Sequence, residues 1–114
     1  MTALKGTWVP NTCNAADLIV NHANKLNSIL ARRGADWGFS GNVTLARVRG
    51  FAEAICSLVR NADEVWQAPY RGSDRLFYVM GDKVVVTHLD GTFESAWRAT
   101  ANQLAHYRTG VKIK

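Results

Sequence analysis

Histidine, arginine and lysine are the side chains of this sequence best suited to chemistry. Imidazole exchanges protons near neutral pH, and guanidinium and ammonium groups bind phosphate. There are three histidines. His88 follows the run Val84 to Thr87 and just precedes Asp90-Gly91. On a strand it shares a face with Val84 and Val86, yet it stands where a strand end frays into solvent. It reads either as a turn histidine or as a general acid or base. His22 lies four residues after Leu18 and four before Leu26, inside an apolar stripe. That position suits a packed histidine as well as a catalytic one, and Asn21 and Lys25 are its polar neighbours at helical spacing. His106, beside Gln103, Tyr107 and Arg108, reads as a surface residue.

The arginines cluster as Arg32-Arg33, as Arg47 and Arg49, and as Arg71, Arg75 and Arg98 around a predicted sheet. Arg71, Arg75 and Arg98 are the phosphate candidates. Arg47 and Arg49 read as a solvated helix face or as a phosphate-facing one. Tyr78 has the chemistry to orient a base or a phosphate, although a strand tyrosine on a sheet face also serves packing. Glu64 and Glu94 are weaker alternatives for a base.

The elements that must position these groups are readable from periodicity. The stretch Arg75 to Arg98 organises the chain: two β-branched and aromatic runs, 76–80 and 84–87, flank Gly81-Asp82-Lys83 and predict an antiparallel hairpin. Asp90-Gly91 turns it into a third strand, in which Phe93, Ser95 and Trp97 alternate with Glu94, Ala96 and Arg98. Ahead of the sheet, Asn14 or Thr12 caps a helix from Ala15 to about Arg33, with Gly34 as its stop. A second amphipathic helix runs from Thr44 to about Arg60 along Leu45, Val48, Ala52, Ile55 and Val59. Gly50 inside it implies close approach of another element. Trp37 and Phe39, in the intervening loop, read as plugs between helices or as stacking platforms for bases. Glu64 to Gln67 predicts a short strand, turned by Ala68 to Gly72. Ala99 to Tyr107 has the spacing of a final helix.

The resulting expectation is one α+β domain over 1–114: two N-terminal helices packed on a mostly antiparallel sheet of about four strands, with a short C-terminal helix allowed and the other sheet face open. Residues 1–13 form an irregular lead-in whose Trp8 packs on the body, 14–61 the helical half, 62–99 the sheet half and 100–114 a C-terminal segment. A chain of 114 residues buries roughly two-thirds of its unfolded surface, enough for a core without staples. Cys13 and Cys56, far apart and outside any CxxC or zinc spacing, predict two reduced, buried thiols in place of a disulfide, and no metal or other cofactor. Neither a signal-peptide pattern nor a run of ~20 apolar residues is present, which points to action in the cytoplasm unless the chain is part of a longer secreted protein. The net charge of +5 and pI near 9.6 favour an anionic partner, nucleic acid above all.

The order of these signals resembles a known group. A helix carrying NHANKLNSILARRG, a helix ending in NADEVW, a YV/VVVTH hairpin and a GTFESAW strand are together similar to the barnase, colicin D and RelE-type ribonuclease superfamily, over roughly Leu18 to Arg98. Such domains occur as phage-encoded nucleases and as C-terminal toxin tips of bacterial competition proteins. The resemblance implies metal-independent cleavage of RNA through the 2′-hydroxyl, leaving a 2′,3′-cyclic phosphate, with tRNA or other structured RNA as substrate. It also implies a helical Lys-His pair and a hydroxyl on the last strand, which fall here on His22 with Lys25 and on Ser95. Asn21, where lysine would precede the histidine, departs from that pattern. A toxin further implies a cognate acidic inhibitor or immunity protein. The alternative class is a non-catalytic basic module that grips nucleic acid, and a third is a protein-binding domain anchored by Trp37, Trp66 and Tyr70. No P-loop, HExxH or GxSxG pattern supports other hydrolytic chemistries.

Overall fold

The structure, a computed structural model, describes residues 13–114. The expected lead-in, with Trp8, lies outside the described residues except for Cys13. Asn14 begins the first helix by accepting hydrogen bonds at Oδ1 from the backbone N–H groups of Ala16 and Asp17. Helix α1 (Ala15–Arg33) buries Leu18, Leu26, Ile29 and Leu30, and its course breaks at His22, where φ and ψ are −136° and 30°. A 3₁₀ turn, Gly34–Trp37, continues it, so the left-handed stop is Gly38 at φ 86° and not Gly34. Helix α2 (Leu45–Asn61) is capped by Thr44 and buries Val48, Ala52, Ile55 and Val59 of the expected stripe, whereas Leu45, at its first position, is exposed. A Cβ at Gly50 would stand 2.9 Å from the Phe39 ring, which explains the glycine. Phe39 and Trp37 both meet Phe51 edge-on, and Trp37 is buried, so this pair plugs the helix junction.

The cysteine expectation is overturned. Cys13 and Cys56 form a disulfide across a sequence separation of 43. Antiparallel packing of the two helices brings the start of α1 to the later half of α2, where Arg60 also donates to the Cys13 carbonyl at 2.7 Å. Sequence distance carries no information about that approach.

The sheet has five antiparallel strands in the order β4-β3-β2-β1-β5. They are β1 (Glu64–Tyr70), β2 (Ser73–Met80), β3 (Lys83–Thr87), β4 (Phe93–Arg98) and β5 (Val111–Lys112). Strand β1 runs three residues beyond expectation, through Pro69. It can do so because β5 pairs only with Trp66 and Gln67, leaving the missing N–H of Pro69 without a ladder to break. The β1–β2 turn places Arg71 and Gly72 at φ 51° and 89°, the double positive φ of a type I′ hairpin turn.

One sheet face, with Val65, Leu76, Tyr78, Val85, Phe93 and Ala96, packs on α1 and α2. The expected open face is instead covered. Helix α3 (Ala101–Tyr107), started by a Thr100–Gln103 capping box, lies against Phe77, Val79, Val84 and Val86. Its Tyr107 ring stacks on Phe77 at 4.0 Å. The apolar alternation on β2 and β3 is therefore two-sided, and each buried Val or Phe adds ~1.5–3 kcal/mol on either face.

Strand β4 also departs from simple alternation. Its pairing runs Val86 with Ser95 but Thr87 with Phe93, so Glu94 is an extra residue, a β-bulge. Phe93 consequently joins the helix-side core, while Ser95 and Trp97 fall on the opposite side.

Candidate active site

Helix α1 lies beside β4, the edge strand, and a cleft of about 570 Å³ opens between them. The helix wall follows from its period: Asn24, Ser28 and Arg32 form one row at i, i+4, i+8, and Lys25, Ile29 and Arg33 form the next. Ile29 is buried and fixes the helix against the body. The sheet wall comes from Tyr70 and Arg71 at the β1–β2 turn, His88 after β3, and Glu94, Ser95 and Trp97 on β4. The bulge at Glu94 brings both that carboxylate and Ser95 to the cleft, a role bulges commonly serve.

A buried ion pair supports this wall. Arg75 Nε donates to Glu94 Oε1 at 2.5 Å, with both side chains only 12% exposed. The Arg75 guanidinium is held in turn by the Ser73 hydroxyl and the Asp74 carbonyl. His88 Nε2 faces the same Glu94 oxygen at 3.4 Å, and its side chain is 43% exposed. Glu94 is thus held by one cation and directs an imidazole into the cleft. Arg71 stacks 5.3 Å above the Tyr70 ring, which is 5.8 Å from Trp97. Lys25, Arg32, Arg33 and Arg71 have no carboxylate partner among the described residues.

Lys25, Arg71, His88 and Ser95 therefore meet in one cleft, and Arg75 stands behind it. His22 lies elsewhere: its ring meets Phe93 edge-on at 5.9 Å and lines a second cavity. Burial first, then the nearby Lys25 charge, lowers the His22 pKa. Tyr78 is 1% exposed within the helix-side core. Arg98 pairs with Asp82 at 2.6 Å beside the β2–β3 turn. Arg47 packs on the loop at Gly41 and Arg49 lines a shallow hollow on the outer helix surface. Glu64 holds Arg108 of the α3 terminus, and His106 contacts the Pro69 carbonyl. Among the described residues no cluster of three or more His, Cys, Asp or Glu is arranged to hold a metal, and no helix is long and apolar enough to cross a membrane.

Arg32, Arg33 and Trp97 are cleft residues that type and charge alone did not select as site residues. The signal for the first two was present in the i, i+4, i+8 rows of α1.

A family model described as Colicin D matches residues 25–107, well over half of the chain. No curated protein and no solved structure matches it. The matched span begins at Lys25 and takes in the cleft residues from Lys25 to Trp97, while Asn24, His22 and Cys13 precede it. The chain belongs to the colicin D family, as a ribonuclease toxin domain of the barnase, colicin D and RelE-type superfamily.

Proposed function

We propose that the α1–β4 cleft is the active centre of a metal-independent endoribonuclease that cuts structured RNA, tRNA in particular, by attack of a 2′-hydroxyl on the adjacent phosphate. The observation that carries this reading is the convergence of His88 and Ser95 with four cations that have no carboxylate partner among the described residues. His88, directed by Glu94, takes the 2′-OH proton. The nucleophilic oxygen bonds to phosphorus, the P–O5′ bond breaks, and Lys25 protonates the departing 5′-oxygen. A 2′,3′-cyclic phosphate remains. Arg71, Arg32 and Arg33 bind the phosphate and its neighbours and stabilise the added negative charge of the phosphorane, and Ser95 donates a hydrogen bond to a non-bridging oxygen. Tyr70 and Trp97 offer ring faces for a base.

A basic cleft of this kind calls for a cognate acidic inhibitor that covers the unpaired cations in the producing cell. The disulfide suits a domain that is delivered as part of a longer secreted protein and acts in the cytoplasm of another cell.

The test is incubation with total bacterial RNA in EDTA, comparing the parent with His88→Ala and His22→Ala and analysing the ends formed. The expected result is cyclic phosphate ends from the parent and from His22→Ala, with His88→Ala nearly silent. Intact RNA at high protein concentration would leave a non-catalytic RNA-gripping module in its place. Loss of cutting in His22→Ala alone would move the proton-transfer group to the second cavity.

A further inference from the structure

The second cavity, of about 540 Å³, differs in chemistry from the cleft. Its floor is apolar, made by Leu18, Ile55, Val85 and the edge of Phe93, all buried. Asp17, Asn21, His22, Thr92 and Asp90, whose carboxylate already accepts from the Thr92 N–H, supply hydrogen-bonding groups around it, and among the described residues no lysine or arginine lines it. The carboxylates of Asp17 and Asp90 disfavour a phosphate there. A flat, apolar-faced ring with polar edges fits both features, and the volume is that of an ordinary small-ligand pocket.

The position relates it to the cleft. Asn21 and His22 line the cavity while Asn24 and Lys25 line the cleft, one turn further along α1. Phe93 lines the cavity and its neighbour Glu94 lines the cleft. The two hollows therefore adjoin across the contact between His22 and Phe93. Adjoining hollows are what a strand with a phosphate in one and the next base in the other would need.

The polar groups select among bases. Asp17 is exposed, and its carboxylate has no hydrogen-bond or ion-pair partner among the described residues. A carboxylate accepts only, and guanine alone among the four bases presents two adjacent donors, N1–H and the N2 amino group, on one edge. Asn21 can donate to O6. Burial, and after it the Lys25 charge, lowers the His22 pKa and so disfavours a charged imidazole beside the cavity.

We infer that this cavity is a guanine-binding subsite for an unpaired nucleotide next to the phosphate held in the cleft, with Asp17 and Asn21 reading its edge. The inference rests on the ribonuclease reading for its RNA context but not for its chemistry. The α1 half of the cavity precedes the matched span.

Guanosine, inosine and uridine, titrated into the isotope-labelled domain and followed by amide shifts, test the subsite without any cleavage. Guanosine is expected to give saturable shifts at Asn21 and Thr92, inosine to bind more weakly for want of the N2 amino group, and uridine least. Asp17→Asn should weaken guanosine on the order of tenfold and bring it level with inosine. In cleavage of an RNA with a randomised loop, the same variant should move the ratio of cutting beside guanine to cutting beside uracil toward one. Equal shifts with all three nucleosides, or none at these amides, overturn the subsite, as does an unchanged ratio. If guanosine binds as described while RNA stays intact, the cavity assignment stands and the nuclease assignment of the cleft falls.

Discussion

The two ends of the sheet are built from the same materials and put to opposite use. At the end carrying the β2–β3 turn, Arg98 donates to Asp82 and Lys83 lies over the Trp37 ring at 5.7 Å. The Arg98 hydrogen bond holds Asp82 below the usual carboxylate range, and Asp82 raises Arg98 in return. Charge there is cancelled locally. At the other end, Arg71 sits on a turn at φ 51°, Lys25, Arg32 and Arg33 face it from α1, and the only carboxylate among the described residues lining the cleft is already held by Arg75. Residue type alone does not rank Arg71 above Arg98. What distinguishes them is whether the fold supplies each cation with a partner, and the end that withholds partners has a field available for phosphate.

Removing the imidazole should have the largest effect: His88→Ala is expected to lower single-turnover cleavage by ~10²–10⁴-fold with RNA affinity largely kept. Equal loss in His22→Ala would erase the distinction between cleft and cavity. Next is the clamp on the helix that walls the cleft. Reducing Cys13–Cys56 should lower unfolding free energy by about 4 kcal/mol, read from the urea midpoint with and without reductant.

Arg71→Gly separates stability from function. Glycine relieves a left-handed residue, so thermal stability should rise by ~1 kcal/mol, while RNA binding weakens and the slope of log affinity against log salt falls by about 1. The acid limb probes a pair at the start of β1, outside the cleft lining. The Arg108 hydrogen bond leads the causes holding Glu64 at about 2, against 4.5 in the unfolded chain. The unfolded state therefore takes up the proton first, and the stability this group adds above pH 4.5 is lost as pH falls toward about 2. Glu64→Gln should flatten that part of the stability–pH curve. The smallest effect is expected at Arg98→Ala, with RNA affinity and salt slope unchanged and the urea midpoint nearly so, since the pair it breaks is exposed.

The two long helices and the central hairpin were legible because their apolar residues repeat at the periods of the elements, and Gly50 announced the ring that lies on it. Three features were not. Period-two alternation cannot show an inserted residue, so Ser95 was assigned the face of Phe93 until the bulge at Glu94 separated them. The two-residue β5 carries too little pattern to read, and with it went the extension of β1 past Pro69. The cysteines meet only because α1 and α2 pack antiparallel. For the site, residue type selected Arg71 and His88 but also Arg98, because pairing with Asp82 is decided by the β3–β4 register and not by composition, while Lys25 and Ser95 came from the family resemblance.

The bond between Cys13 and Cys56 also gives the domain a topology. It closes the intervening chain into a covalent ring that includes α1 and most of the run to mid-α2, with everything from Ser57 onward attached as a tail. Such an object can be unfolded completely and still not be drawn out into a single thread. Any passage too narrow for two strands abreast admits this chain only after a reductant has opened the ring, so the order of reduction and entry is written into its connectivity.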